Sequence, residues 1–197
     1  MALTAEEQRA TIDLADRLAI GDARALAPLF VGRDMPLPTI CWAPKPPDMP
    51  ARQLVFLLEY WNDLRGAGPM APARAIQPIE MRPALGYVCL LDVIDDGLDF
   101  HYRVYGSDIA HCVGGDLTGT RLSDYTRSRW MLVYHAAAYR ASAQRHDALF
   151  TSYVPTSDIA TTRWDRLILP LADDNGNAVR LLVGKVPQGR RMARRID

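Results

Sequence analysis

Long apolar runs are missing from this chain. The longest uncharged one, Ala84–Leu91, falls far short of the roughly 20 residues a membrane helix needs. Net charge is missing as well: Lys plus Arg number 23 and Asp plus Glu 23, a formal net charge of +0. Nothing in that balance points to a polyanion such as nucleic acid. Cysteine is scarce. Cys41, Cys89 and Cys112 are an odd set without CxxC spacing, so neither a disulfide framework nor a metal site is implied. The N-terminus is acidic and lacks the basic-then-apolar order of a signal peptide, which makes a cytoplasmic location the expectation. What is present is an ordinary globular composition, 49% hydrophobic and 23% charged in 197 residues, enough for one core plus an appendage.

Thr4 and Glu7 have capping-box spacing, so a helix is expected to start there, with Ile12, Ala15 and Leu18 on one face until Gly21. Asp22 can cap a second short helix carrying Leu26, Leu29 and Phe30. An apolar stripe on such short helices must pack on the main domain or on a second copy, and a homodimer is the expectation. Six prolines between Pro36 and Pro50 then predict an extended linker, with a boundary near Pro50. Expected units are therefore residues 1–49, a domain over 50–187 and a basic tail over 188–197.

Within the domain, Leu54, Leu57, Leu58 and Trp61 mark an amphipathic helix ending at Gly66. Tyr87–Ile94 and Asp99–Tyr105 read as strands around the turn Asp95-Asp96-Gly97. Alternation puts Phe100, Tyr102 and Val104 on one face of the second strand. A short helix follows from Ser107 to Val113, then a long one from Thr126 or Ser128 to about Ala143. Three further strands are expected over Leu149–Val154, Thr162–Leu171 and Val179–Val186, the last two joined by Asp173-Asp174-Asn175-Gly176-Asn177. That segment lacks the downstream Glu of a calcium loop and reads as a hairpin turn. Hairpins at both ends with helices between predict an α+β fold: a five-stranded antiparallel sheet, helices on one face, and an N-terminal helical extension.

Four segments carry a family likeness. They are Tyr60-Trp-Asn-Asp-Leu-Arg-Gly66 with Pro72, Arg74 and Pro78; Leu91-Asp-Val93 with Phe100-His-Tyr-Arg-Val-Tyr-Gly106; Gly115-Asp-Leu-Thr-Gly119 with Leu122; and Arg166-Leu-Ile-Leu-Pro-Leu171 running on to Gly184. In this order they resemble the PAS-domain superfamily, most closely a family of short bacterial PAS-like proteins of unknown function. Gln77 stands where that family tends to have an acidic residue. The resemblance implies a sensory or docking module that binds a small molecule between sheet and helices and signals through a protein partner. It implies no catalytic residue and names no cofactor.

Tyr102, Val104, Val133, Tyr134, Tyr153 and Leu169 are the expected cavity lining, with the tyrosine hydroxyls orienting a ligand. Arg103 and Arg166 read as snorkelled sheet residues or as anion anchors. Three alternatives stand beside this reading. One is a ligand-free scaffold whose cavity is filled by its own side chains. Another is a haem sensor using His111 or His135. The third is a small enzyme whose only acid–base pair would be Asp108 and His111. No metal site, nucleic acid or membrane partner is expected.

Overall fold

The computed structural model describes residues 3–124, 128–156 and 161–190. The basic tail after 190 and Thr126, one of the two expected starts of the central helix, lie outside them. Helix α1 (Ala5–Ala19) begins in the expected capping box: Glu7 N donates to Thr4 Oγ1 at 3.2 Å and Thr4 N donates to Glu7 Oε2 at 2.8 Å. Gly21, at φ +90°, turns the chain, and Asp22 accepts from Arg24 N ahead of α2 (Ala27–Phe30). The proline-rich segment is not linker throughout. Thr39–Trp42 lies between Pro38 and Pro44, keeps all its amides, and pairs as strand β1.

The expected amphipathic helix is α3 (Arg52–Arg65), stopped by Gly66 at φ +54°. A two-residue strand β2 (Ala71–Pro72) and a 3-10 stretch (Pro78–Tyr87) lead into the sheet. Its long strands are β3 (Val88–Ile94) and β4 (Asp99–Tyr105), then, after α4 (Ser107–Val113) and α5 (Arg129–Arg145), β5 (Leu149–Tyr153), β6 (Thr161–Ala172) and β7 (Ala178–Arg190). The order is β1-β5-β6-β7-β3-β4, with β2 beside β6. Every pairing is antiparallel except β2–β6. The C-terminal hairpin closes on the first, Val88 opposite Gly184 and Leu91 opposite Leu181. The five expected strands are all present, and β1 and β2 bring the sheet to seven among the described residues.

Helices cover both faces rather than one. On the inner face, α5, α4 and α1 pack with Leu91, Phe100, Ile168, Leu181 and Val183. On the outer face Leu54, Leu57, Leu58 and Trp61 of α3 pack on Leu167, Leu169, Leu171 and Leu182. Trp61 Nε1 donates to Pro170 O at 2.9 Å, fixing the helix to the strand. Gly184 permits the approach: a Cβ there would meet Leu54 Cδ2 and Leu57 Cδ1, each at 2.6 Å. The apolar runs of β6 and β7 are continuous because both sides are buried.

The N-terminal extension packs on its own chain. Leu14, Ala15, Leu18, Leu26 and Phe30 are buried in the inner core. Arg129 Nε donates to Glu7 Oε1 at 2.8 Å, and this pairing holds the Glu7 carboxyl down at about 2. Arg145 Nη1 donates to Ala19 O at 2.8 Å, and Trp42 Nε1 donates to Leu18 O at 3.0 Å. The stripe that suggested a homodimer is therefore used within the chain.

The free edge of β4 is covered by the segment around Gly115-Asp-Leu-Thr-Gly119. Gly119 N donates to Tyr102 O at 2.7 Å, Tyr102 N donates to Thr120 O at 2.9 Å, and Tyr105 N donates to Thr118 Oγ1 at 3.1 Å. Gly119 sits at φ +81°, which a β-carbon would strain. This loop hides donors and acceptors that an edge strand would otherwise present.

Gly106, closing the β4 motif, lies against the backbone of Gly86, and a Cβ there would run into the Gly86 carbonyl. Neither backbone can retreat without disturbing the start of β3. Gly106→Ala is expected to lower stability by about 1–3 kcal/mol, read as a lower urea midpoint with an unchanged slope.

Candidate functional site

The inner face of the sheet carries charge where an apolar layer would be expected. On β6 the inward residues are Trp164, Arg166 and Ile168, and Arg166 is 0% exposed. Its guanidinium carbon lies 4.9 Å from the ring of Tyr134, 5.1 Å from Tyr139 and 5.2 Å from Tyr153. These π faces attract the cation but do not neutralise it. Arg166 Nε donates to Thr151 Oγ1 at 3.1 Å, and Nη1 reaches His135 Nδ1. Nη2 is buried with no hydrogen-bond partner among the described residues. The snorkelled alternative for Arg166 is excluded.

An arginine can only donate, so His135 Nδ1 must accept, and the ring proton then resides on Nε2. Burial, followed by the Arg166 and Lys185 charges, holds this imidazole well below its ordinary 6.5 and keeps it neutral. Burial also pushes the Tyr134 hydroxyl up to about 12, and raises those of Tyr102 and Tyr139.

Directly across the β6–β7 pair from Arg166 stands Lys185. Its Nζ lies 4.3 Å over the Trp164 ring, and burial lowers its pKa to about 8. Like charges facing each other across strands repel. Among the described residues no carboxylate forms an ion pair with either cation. Asp165, the nearest along the strand, binds Ser152 and Arg163 instead.

A cavity of about 20 Å3 opens beside this cluster, bounded by Met131, His135, Tyr153, Trp164, Lys185 and Val113. That is room for about one or two water-sized centres. Two wider grooves, of about 480 and 300 Å3, lie at the surface beside the β3–β4 and β6–β7 turns and hold none of this cluster.

Of the residues picked from sequence, Tyr153 lines the cavity and Tyr134 backs it through Arg166. Tyr102 and Val133 are buried in the same core away from it, Tyr102 against Tyr105 at 5.2 Å. Val104 is 43% exposed on the far side. The reason is a bulge: Leu90 pairs with Val104 but Leu91 with Tyr102, so Arg103 is extra and facing reverses after it. Tyr105 takes the inward place. Leu169 is buried beneath α3, on the opposite face from Arg166. Arg103 is exposed and pairs with Asp92 at 3.1 Å. Sequence reasoning missed Lys185 and Trp164, and named His135 only as a haem ligand. Its Nδ1 is engaged by Arg166, while Asp108 and His111 are both exposed on α4.

A family model for the PAS domain matches residues 49–185. The chain belongs to the PAS-domain family. No curated protein and no solved structure matches it significantly. PAS domains are in general non-catalytic sensory and signalling modules, and this one presents the sheet-and-helix core from which that role is built. Among the described residues no helix is long and apolar enough to cross a membrane, and no cluster of His, Cys, Asp and Glu could hold a metal.

Replacing an uncompensated buried charge by an apolar side chain of similar size removes a desolvation penalty. Arg166→Met is therefore expected to match or exceed the parent in thermal stability, by up to about 1–4 kcal/mol. His135 supplies a pH signature. Its folded pKa lies below its unfolded value, so the unfolded chain binds more protons once pH falls under about 6.5. Stability should fall on acidification from that point, and urea unfolding of His135→Gln should show a flatter dependence over the same window.

Proposed function

We propose that this PAS domain is a sensory module that binds a small molecule in the cavity between β5–β7 and α5 and passes its occupancy to a protein partner. The observation that carries the reading is the polar cluster of Arg166, Lys185 and His135 beside Tyr153, closed under α5, in which neither cation pairs with a carboxylate among the described residues. A core that served packing alone would gain by replacing it with apolar residues. Met131, His135, Tyr153, Trp164 and Lys185 are the proposed ligand contacts, with Tyr134 holding Arg166 behind them.

Output would run through α5. Tyr134 touches Arg166 on one side and the edge of Phe30 on the other, at 5.1 Å between ring centroids, and Trp130 meets Phe30 at 5.2 Å. A ligand that favours one side-chain position of Tyr134 or His135 shifts the packing against Phe30 of α2 by its differential contact energy. Ile20 and Val31, at 82% and 58% exposed, are the apolar residues this unit offers a partner, another copy included.

The ligand-free scaffold has one observation in its favour, the small size of the cavity. Native mass spectrometry of the full chain separates the two readings. A retained small molecule, lost on denaturation and absent from Arg166→Met, is the expected result. Ligand-free protein from several growth conditions, with no compound shifting its melting temperature, overturns the sensor reading in favour of the scaffold.

A further inference from the structure

The cluster specifies the chemistry of what it would bind, and this inference rests on the sensor reading. We propose that the cavity is a site for the carboxylate of a small organic acid, received by Lys185 and His135 and matched in charge by Arg166. Three features converge. Arg166 and Lys185 face each other on neighbouring strands with no carboxylate between them among the described residues, so an anion relieves a repulsion already present. His135 Nδ1 accepts from Arg166, which leaves Nε2–H as a donor on the cavity wall with no hydrogen bond among the described residues. Lys185 supplies a second donor to the same space.

Two donors and room for one or two oxygen-sized centres fit the planar end of a carboxylate. The organic remainder would meet the apolar Met131, Trp164, Val113 and Pro155, with the hydroxyl residues Ser128 and Thr156 on the same wall, and the small volume favours short acids.

Among the described residues the groups facing Lys185 are Arg166 from β6, His135 and Tyr139 from α5, Cys89 from β3 and Cys112 from α4. None of them is an acid with an ordinary pKa below neutrality, and the depressed pKa of the lysine comes first from burial and then from the Arg166 charge. Bound anion would restore its proton, and affinity should weaken as pH rises past about 8.

Calorimetric titration of the full chain with sodium acetate, against sodium chloride and inorganic phosphate at equal ionic strength, tests this. Saturable acetate binding is expected, weakened about tenfold or more by Lys185→Met and largely kept by Lys185→Arg. The unmodified protein provides a readout that needs no variant: acetate affinity should drop between about pH 7 and pH 9, the interval that spans the Lys185 titration. No saturable acetate binding, a flat pH profile, equal binding of all three anions (an adventitious ion only), or full affinity in a folded Lys185→Met each overturns it. Should native mass spectrometry retain a neutral compound while acetate fails to bind, this proposal falls and the sensor reading survives. If both fail, the sensor reading falls too.

Discussion

A guanidinium held out of water between three tyrosine rings, with no acid among the described residues to meet it, is the constraint around which the inner half of the molecule is arranged. Moving such an ion from water into a protein interior costs several kcal/mol even after relaxation. Here the offset comes from three π faces, a threonine hydroxyl and an imidazole nitrogen. These partners come from α5 and β5, so helix and strand must both be in register before the charge is accommodated. The neutral state of His135 follows: a second cation beside Arg166 would have no counter-ion either. So does the depressed Lys185 pKa across the strand pair.

The architecture was largely legible because its signals are local. The capping box at Thr4, the four-residue stripe of α3, the Asp-Asp-Gly turn and the Asp173 turn each declare themselves within a few residues, and each is present in the structure. Three things were not legible. Strand β1 hides in a proline-rich segment because its pairing with β5 spans more than a hundred residues. The second helical layer follows from Gly184, whose need for a missing side chain depends on α3 being there. The bulge at Arg103 reverses the facing of Val104 while leaving the alternating pattern in the sequence unchanged. Leu169 failed for a related reason. In a run such as Leu167-Ile-Leu-Pro-Leu171, apolar on both sides, period two no longer tells which face is which.

The cluster itself was half visible. An arginine heading an apolar strand is a signal of burial, and the sequence offered no nearby acid on the same face. Lys185 escaped notice because its significance is relational: it becomes informative only once β6 and β7 are aligned and it stands opposite Arg166. Tyrosines were sought for their hydroxyls, yet Tyr134 and Tyr139 contribute their faces, which position a charge that in turn orients His135.

The N-terminal helices gain a role from the same arrangement. Helix α5 is pressed between the charged layer and α1, with Phe30 abutting the very tyrosine that contacts Arg166. Glu7 and Ala19 tie α1 to Arg129 and Arg145, close to the two ends of α5, so the two helices are clamped along their length. A clamp at both ends resists sliding but leaves the middle of α5 free to respond, and Tyr134 and His135 stand between the clamps. Neutralising the cations beneath would change the electrostatic load on that middle segment alone. Under the proposed sensor reading, this arrangement favours a signal carried by rotation of a few side chains into Phe30 over one carried by displacement of a whole helix.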